Sequence, residues 1–406
     1  SRTPSSAGNR KTWTWSGWFK RSNLTTGQKF FSAGTADTNG TGIQVLGNAG
    51  LEDVVQFYTI IGGTDYGWNS TLKLRDTSAW YHLVFVYDAS NSTGSDRMRA
   101  YVNSERITSF ATNYGELPLN TDSFMNATNV HTIGKHQVNA TTYLDGHLAE
   151  VNFVDGQALT PSDFGETDED YGHWKAKKYT GTYGTNGFYL DFKNSGSLGN
   201  DANGSNNWTP TNLAATDQML DSPTNNFCTL NPLYIAHTSY GYNNYAEGNL
   251  RVYPTDNWAS QGTLVPAELP SGKAYFEVYI DNVGSTTRVG VYKQSAFDWQ
   301  NEVTYQSNGN KLLSGSHTSY GATYTTGDII GVAVNIDSSS ITFYKNNSSQ
   351  GSITLPSLSE GYAVGVSSAG SGSYSIIANF GQDSSFAGNK TAQGNQDSNS
   401  IGDFYY

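Results

Sequence analysis

Aromatic side chains in loops rich in Gly, Asn and Ser are the residues whose chemistry points most directly to a ligand. Tyr and Trp combine an apolar ring face with a polar group, so they can stack on a sugar ring and hydrogen-bond to its hydroxyls. The candidates for carbohydrate binding are Tyr66, Trp68, Tyr240, Tyr242, Tyr245 and Trp299. Aromatic rings in such loops serve equally well as packing anchors or subunit contacts, so both interpretations stay open for each cluster.

Three oxygen-bearing side chains in one turn form a candidate calcium site. Asp88, Asn91 and Asp96 lie close together in the sequence, and carboxylate and amide oxygens are ligands that calcium prefers. The same residue types also stabilise ordinary turns by hydrogen-bonding to nearby backbone. A structural calcium ion is one interpretation and plain turn chemistry is the other. No further cofactor is indicated.

Catalytic constellations are missing from the sequence. A retaining glycoside hydrolase needs two carboxyl groups about 5–5.5 Å apart. The densest acidic run, residues 166–170, lacks the apolar partners of a strand, and Glu150 is a lone carboxylate. His131 and His136 lack a third residue at metal-ligand spacing, and no nucleophile elbow or phosphate loop occurs between a strand and a helix. We therefore expect no enzymatic activity.

Composition narrows the class of protein that carries these residues. The 406-residue chain has a formal net charge of -12 and only 14% charged residues, so a nucleic-acid-binding surface is not expected. No apolar run approaches the roughly 20 residues that span a bilayer. Cys228 is the only cysteine, which excludes a disulfide framework and a thiolate zinc site. Because residue 1 is Ser, we expect a processed or excerpted chain.

Two predicted hairpins organise the chain, one in each half. They comprise residues 80–88 with 97–103 and residues 331–337 with 341–346. Each is a run of β-branched and aromatic residues that stops at Asp, reverses through polar residues and returns. Trp13 and Trp15 share one face of an earlier strand and are predicted to be sheet core. Short strands at about 8–12-residue spacing, separated by turn signals, predict a sandwich or barrel.

Two motifs in the first half occur in a specific order. The hairpin that begins at Trp80 is followed by a strand at 143–154 and by a turn at 157–164. This order resembles the laminin-G-like, concanavalin A-like lectin/glucanase family over roughly residues 10–165. The resemblance implies a jelly-roll sandwich of two antiparallel sheets, often with a calcium ion. It also implies a strand ahead of the first Trp-rich strand, which we expect to be missing from this chain.

Three motifs in the second half also occur in series. A Gly-x-x-Tyr-Phe-Glu-Val strand precedes Arg-Val-Gly-Val within 272–291, Gly-Asp-Ile-Ile-Gly-Val precedes Ile-Thr-Phe-Tyr-Lys-Asn within 327–346, and Asn-Phe-Gly-Gln occupies 379–382. The series resembles the SPRY family over roughly residues 225–382. The resemblance implies a second, bent two-sheet sandwich that binds partners through loops at one end and carries no catalytic machinery.

The combined features predict an all-β chain of two tandem antiparallel β-sandwich (jelly-roll) domains joined by a loop-rich linker. The predicted parts are a laminin-G-like domain at 1–165, a loop-rich connection with one strand at 166–212, and a SPRY-like domain with a polar C-terminal tail at 213–406. The chain resembles structural and fibre proteins of marine bacteriophages in the order of its two domains, in the sequence segments 183–192 and 221–227, and in its C-terminal tail. In those proteins the chain continues, so a cut C-terminus is also expected.

The expected function is that of a non-enzymatic virion surface protein, as a fibre, spike or decoration component. Its expected partners are host cell-surface glycans and other virion proteins, with no nucleic acid and no membrane, and a homo-oligomer is expected, a trimer being favoured. The expected location is the virion surface or the extracellular space. Two alternatives stay open: a secreted polysaccharide-acting enzyme on a glucanase-like fold, and a purely structural virion subunit without a ligand.

Overall fold

The computed structural model describes residues 1–139, 141–233, 243–254, 262–264, 271–292, 302–356, 362–368 and 374–406. The chain divides into two compact units, Ser1–Gln218 with Ser222–Thr224 and Met219–Asp221 with Asn225–Tyr406. Regular structure is almost entirely β, in antiparallel sheets, which confirms the predicted all-β class with tandem sandwiches. No helix in the described ranges has the length and apolar character to span a membrane.

The described part of the first unit contains two six-stranded sheets. Its strands are β1 (Thr12–Arg21), β2 (Gln28–Ala36), β3 (Asn39–Val45), β4 (Val54–Ile61), β5 (Thr64–Lys73), β6 (Trp80–Asp88), β7 (Met98–Val102), β8 (Glu105–Arg106), β9 (Phe110–Gly115), β10 (His131–Ile133), β11 (Gly146–Asp155), β12 (Gly165–Thr167), β13 (Trp174–Ala176) and β14 (Phe188–Leu190). Sheet I has the order β14-β11-β1-β6-β7-β8, and sheet II has the order β10-β2-β3-β4-β5-β9. Single 3-10 turns occur at Gly94–Asp96, Pro161–Asp163 and Ala215–Asp217.

Aromatic side chains fill the space between sheets I and II. Trp13 and Trp15 are fully buried, as predicted. Trp13 pairs in register with Tyr87, and their rings stack at 5.4 Å with an interplanar angle of 5°. Because a buried aromatic side chain contributes roughly 2–3 kcal/mol by leaving water, this cluster, which also includes Phe57, is the main stabilising element of the first unit.

The outer face of sheet I is covered by the chain that follows β11. Val84, Val86 and Val154 pack there against Phe164 and a group of tyrosines from later in the chain. The segment 166–212 was predicted to hold one strand. The structure differs, because the hairpin β12–β13 forms over this region and β14 extends sheet I by pairing with β11. The aromatic side chains of this region thus cover the outer face of sheet I.

The described part of the second unit also contains two large sheets. Its strands are β15 (Asn243–Ala246), β16 (Arg251–Pro254), β17 (Gly262–Leu264), β18 (Lys273–Asn282), β19 (Thr287–Tyr292), β20 (Glu302–Gln306), β21 (Asn310–Leu313), β22 (Ser316–Ser319), β23 (Ile329–Asn335), β24 (Ser340–Lys345), β25 (Ser348–Thr354), β26 (Ala363–Ser368), β27 (Ser375–Asn379), β28 (Asn395–Gln396) and β29 (Asp403–Phe404). Sheet III has the order β15-β16-β27-β18-β23-β24-β25, and sheet IV has the order β17-β26-β19-β20-β21-β22. A 3-10 turn occupies Glu247–Asn249.

Both predicted hairpins are present. In the first unit β6 pairs with β7, and in the second β23 pairs with β24 in antiparallel register. In β18, alternate residues form the core face, because Phe276, Val278 and Ile280 are buried in the main cluster of the second unit. The polar tail ends in the β28–β29 pair, and Tyr405 and Tyr406 pack on a second apolar cluster.

Candidate functional site

A polar cleft of about 360 Å³ lies on the face of sheet II that points away from the core. Strands β2 to β5 form its floor, and residues 134–139 and 141–142, here called the covering segment, enclose it together with β9. The lining residues are Lys29, Asp37, Gln44, Gln56, Tyr58, Ile60, Asp65, Tyr114, His136, Gln137, Asn139, Thr141 and Thr142. The cleft is therefore rich in amide, hydroxyl and charged groups, with few aliphatic surfaces.

Strand alternation places these polar groups together. On β4, Val55 and Phe57 enter the core, so Gln56 and Tyr58 between and after them point to the opposite face. On β3, Gln44 stands opposite Gln56 in register. The polar side chains are nevertheless largely buried, because the enclosing segments cover this face of the sheet.

The most unusual group in the cleft is the Lys29 ammonium. Lys29 is only 3% exposed, and Nζ donates a hydrogen bond to Tyr58 Oη at 2.7 Å while lying 4.3 Å from the centre of the same ring. Burial disfavours the charged form and lowers the pKa of Lys29 to about 7. Burial also raises the pKa of Tyr58 above its ordinary value. Lys29 therefore gains and loses its proton near neutral pH, and Tyr58 keeps its own.

Two glycines make room for the cleft side chains. A Cβ atom on Gly42 would lie 2.6 Å from Tyr58 Oη, so the absence of a side chain lets the Tyr58 ring lie across β3. A Cβ atom on Gly40 would lie 2.6 Å from Gln137 Nε2. The positions of Tyr58 and Gln137 thus depend on glycine at the neighbouring positions 42 and 40.

The covering segment brings both charge and unused hydrogen-bonding capacity. Asn139 Nδ2 donates to both carboxylate oxygens of Asp37, at 2.9 and 3.1 Å. His136 Nε2 lies 4.0 Å from Asp37 Oδ1, and the pKa of His136 is lowered, first by burial and then by the charge of Lys29. Gln137 Oε1 and Thr142 Oγ1 are buried without a hydrogen-bond partner in the described part of the chain.

A chain of amide groups fixes the other side of the floor. Gln44 Nε2 donates to Gln56 Oε1. Gln56 Nε2 and Asn69 Nδ2 both donate to Tyr114 Oη, at 3.4 and 3.0 Å. Because each amide is oriented by its neighbour, the floor presents a defined set of donors and acceptors.

The predicted loop position of Tyr66 and Trp68 is wrong, because both residues lie in strand β5. The tight turn at Gly62 and Gly63 reverses the chain before them. Trp68 is 5% exposed and donates from Nε1 to the Met98 carbonyl at 3.1 Å, and Tyr66 packs partly buried on the same core. Neither ring therefore faces the cleft as a stacking platform.

The other aromatic candidates are not brought together by the described residues. Tyr245 lies in β15, packs against the core of the second unit and donates from Oη to the Asn231 carbonyl at 3.2 Å. Tyr240, Tyr242 and Trp299 lie outside the described residues. Their role in carbohydrate binding stays a prediction.

The candidate calcium ligands serve turn chemistry and arginine pairing. Asp88 accepts a hydrogen bond from Asn91 Nδ2 at 3.2 Å and lies 3.8 Å from Arg99. Asp96 points to Arg106, at 2.6 Å. Among the residues that the structure describes, no group of three or more His, Cys, Asp or Glu side chains could hold a metal ion.

The acidic run at 166–170 is tied to a lysine. Lys175 Nζ lies 3.7 Å from Glu166 and 3.0 Å from Asp168. The pKa of Asp168 is lowered to about 2, first by the backbone N–H of Tyr171 and then by Lys175. Glu150 is held separately, because it accepts a hydrogen bond from Tyr189 Oη at 2.5 Å.

Sequence reasoning missed Lys29, Gln44, Gln56 and Tyr58 as site residues. The available signal was the polar residue between apolar ones in 42–46 and 54–61. That signal normally marks a solvated sheet face. The burial of this face depends on the covering segment, whose position above sheet II is a tertiary property.

Comparison with known families agrees with the two units. Residues 2–163 match the family model of the concanavalin A-like lectin/glucanases superfamily, and residues 273–381 match the SPRY domain model. A comparison with curated protein sequences found no match.

Solved structures similar to this chain include SPRY domains. The SPRY domain of human HERC1 is 17% identical, covers 37% of this chain and 96% of its own, and gives a TM-score of 0.28. A human SPRY domain is 23% identical over 32% of this chain and 90% of its own, with a TM-score of 0.27. Stonustoxin is 15% identical over 37% of this chain and 27% of its own, with a TM-score of 0.29.

The two family matches follow the order of the two compact units along the sequence. Together with the antiparallel sheets of each unit, they show a domain similar to the concanavalin A-like lectin/glucanases superfamily over residues 2–163 and one similar to the SPRY domain over residues 273–381.

Proposed function

We propose that this chain is a non-enzymatic binding protein whose concanavalin A-like domain holds a saccharide in the cleft on sheet II. The observation that carries the proposal is the unused hydrogen-bonding capacity in this one cleft. Gln137 Oε1 and Thr142 Oγ1 are buried without a partner among the described atoms. Both side chains line the cleft, so their rotation toward a ligand that supplies the missing donors would recover the free energy that such buried polar groups cost.

A saccharide matches the size and the chemistry of the cleft. Small-molecule sites typically enclose about 300–1,000 Å³, so a cleft of about 360 Å³ has room for about one or two sugar rings. Tyr114, which is 37% exposed, offers a ring face, and Tyr58, Gln44 and Gln56 line the cleft with hydroxyl and amide groups. Sugar rings need both kinds of contact, because they combine apolar faces with a belt of hydroxyls.

Binding without hydrolysis is the second part of the proposal. Asp37 and Asp65 are the carboxyl groups that line the cleft, and both are exposed. Asp37 is also engaged by Asn139. Glycoside hydrolases place an enclosed general acid beside a second carboxyl group, and an exposed pair of this kind is better suited to accept hydrogen bonds from sugar hydroxyls.

The biological setting is proposed from the sequence. The SPRY domain would dock on a protein partner through loops at one end of its sandwich. We propose a virion surface protein of a bacteriophage, as a fibre, spike or decoration component, which binds host cell-surface glycans and other virion proteins. A homo-oligomer, with a trimer favoured, would present several clefts at once and so raise the avidity for a glycan surface.

A glycan array probed with the full chain tests the proposal. The wild-type protein and the exposed-surface control Tyr171→Ser (Tyr171 is 84% exposed) should bind the same subset of glycans. Gln137→Ala and Tyr58→Phe should each weaken binding of that subset by about tenfold, because each removes a hydrogen-bonding group from the cleft.

The outcomes separate the alternatives. Release of reducing ends from a bound polysaccharide would identify an enzyme and overturn the non-enzymatic part. Binding that is unchanged in Gln137→Ala and Tyr58→Phe would place the sugar elsewhere. An array without any hit would favour a purely structural subunit.

A further inference from the structure

We propose that the saccharide recognised by the cleft carries a carboxylate and that Lys29 is the residue that pairs with it. This inference rests on the proposed function and deepens it, because it names the chemical class of the ligand. An acidic sugar, such as a uronic or sialic acid unit, combines one carboxylate with several hydroxyls.

The Lys29 ammonium has more N–H donors than the described residues provide acceptors for. Its ammonium carries three N–H groups, and Tyr58 Oη is the one side-chain partner that the described residues provide. No carboxylate in the described part of the chain lies within ion-pair distance of Lys29 Nζ. Buried charges in proteins are normally paired, so an amine enclosed to this degree without an anion indicates a missing partner.

Other groups in the cleft could accept hydrogen bonds from the hydroxyls of a sugar. Gln137 Oε1 and Thr142 Oγ1 can each accept a hydrogen bond, and neither has a partner among the described atoms. Thr142 lies beside Lys29, because the Lys29 backbone N–H donates to the Thr142 carbonyl at 3.1 Å. A ligand with a carboxylate at one end and hydroxyls next to it would satisfy Lys29, Gln137 and Thr142 together.

The remaining charges limit the ligand to few negative groups. The titratable groups that line the cleft with Lys29 are Tyr58 from β4, Asp65 from β5, Tyr114 from β9, Asp37 from the turn after β2, and His136 from the covering segment. Asp37 and Asp65 are exposed and negative, so they would repel a densely sulfated or polyanionic chain. A saccharide with one carboxylate among neutral units fits this arrangement.

The protonation behaviour of Lys29 gives the inference a second readout. Burial lowers the pKa of Lys29 to about 7, so the charged fraction falls from about 90% at pH 6 to about 10% at pH 8. Carboxylate binding should therefore weaken by about tenfold over this range. The His136→Gln variant should retain this pH dependence if Lys29 is its source.

Matched ligands provide the test. Titration calorimetry with the full chain would use glucuronate- and sialate-terminated oligosaccharides and the methyl esters of the same compounds. At pH 6 at least one acid should bind about tenfold or more tightly than its ester. Lys29→Met should abolish this preference, and Lys73→Met, which removes an exposed lysine from the same unit, should preserve it. Thermal melting verifies that both variants are folded.

The failures are distinguishable. Equal binding of acid and ester, or binding restricted to neutral glycans on the array, would overturn the assignment of Lys29 while leaving a saccharide site in place. A preference for the acid that survives in Lys29→Met would also overturn it. Absence of binding to every glycan would remove the proposed function together with this inference.

Discussion

Lys29 Nζ and Tyr58 Oη are 2.7 Å apart in a setting from which water is largely excluded. The pair lies on the outer face of sheet II and forms the floor of the cleft. An amine in this position opposes folding while it is charged, because its burial removes hydration that no anion replaces. The buried Lys29 amine therefore lowers the folding stability of the first unit, as residues at ligand-binding sites commonly do.

Replacing Lys29 with Met should stabilise the first unit in a pH-dependent manner. The pKa of Lys29 is lower in the folded state, about 7, than in the unfolded chain, so the unfolded state binds more protons between pH 7 and about 10 and wild-type stability rises with pH. The stability advantage of Lys29→Met should therefore shrink by about 2 kcal/mol between pH 7 and pH 9. Urea unfolding followed by tryptophan fluorescence measures it.

The control is Lys73→Met, whose stability difference from wild type should stay constant over the same pH range. A constant difference for Lys29→Met as well would mean that Lys29 is solvated and ordinarily charged.

His82 should make the first unit sensitive to acid. Its ring is fully buried, accepts a hydrogen bond at Nδ1 from Trp174 Nε1 at 2.9 Å and lies 4.8 Å from the Trp18 ring. Burial lowers the pKa of His82 to about 3. The stability that depends on the neutral ring is complete above the unfolded pKa near 6.5 and is lost as the pH falls toward 3.

We expect His82→Phe to be less stable than wild type at pH 7 and to lose about 2 kcal/mol less between pH 6.5 and pH 4.5. The exposed His173→Gln variant should follow the wild-type curve. Parallel pH curves for wild type and His82→Phe would show that His82 is protonated without penalty.

Glu277 should hold the C-terminal hairpin on sheet III. Its buried carboxylate accepts hydrogen bonds from the backbone N–H groups of Tyr405 and Tyr406, at 2.8 and 2.9 Å. In Glu277→Gln one of these N–H groups would face an amide donor, which should destabilise the second unit by about 1–3 kcal/mol. Hydrogen exchange at Tyr405 and Tyr406 should accelerate. The exposed Asp337→Asn change should leave this exchange unaltered, and slow exchange in Glu277→Gln would contradict the anchoring role.

Gly42→Ala should close the cleft from below without unfolding the domain. The new Cβ would lie 2.6 Å from Tyr58 Oη, so the Tyr58 ring must move away from Lys29. Affinity for the array-selected glycan should fall by about tenfold, as titration calorimetry would measure. Gly196→Ala is the matched control, because a Cβ there lies 3.4 Å from its nearest neighbour. Equal affinities for both variants would exclude a role for Tyr58 in binding.

The periodicity of the sequence was sufficient to predict the β-sandwich core, but it was insufficient to predict the cleft residues. Trp13 and Trp15 alternate with Thr in a strand pattern, so their burial could be predicted. Tyr66 and Trp68 follow Gly62 and Gly63, which suggested a loop, but strand pairing on both sides places them in β5. Turn residues mark where a chain reverses, and they do not indicate how soon the next strand begins.

The cleft residues could not be assigned from the sequence for a different reason. Lys29 and Gln137 are far apart in the chain, and their proximity depends on a covering segment that has no regular structure of its own. A lysine in a β-strand normally faces solvent. The enclosure of Lys29 is a consequence of tertiary packing, and this enclosure gives the residue its unusual chemistry.

A crystal structure of the full chain with the tightest-binding array glycan tests the central claim most directly. We predict the sugar in the cleft on sheet II, with hydroxyls at hydrogen-bonding distance from Gln137 Oε1 and a carboxylate beside Lys29 Nζ. A glycan bound elsewhere on the protein, with this cleft free of sugar, would contradict this assignment of the site.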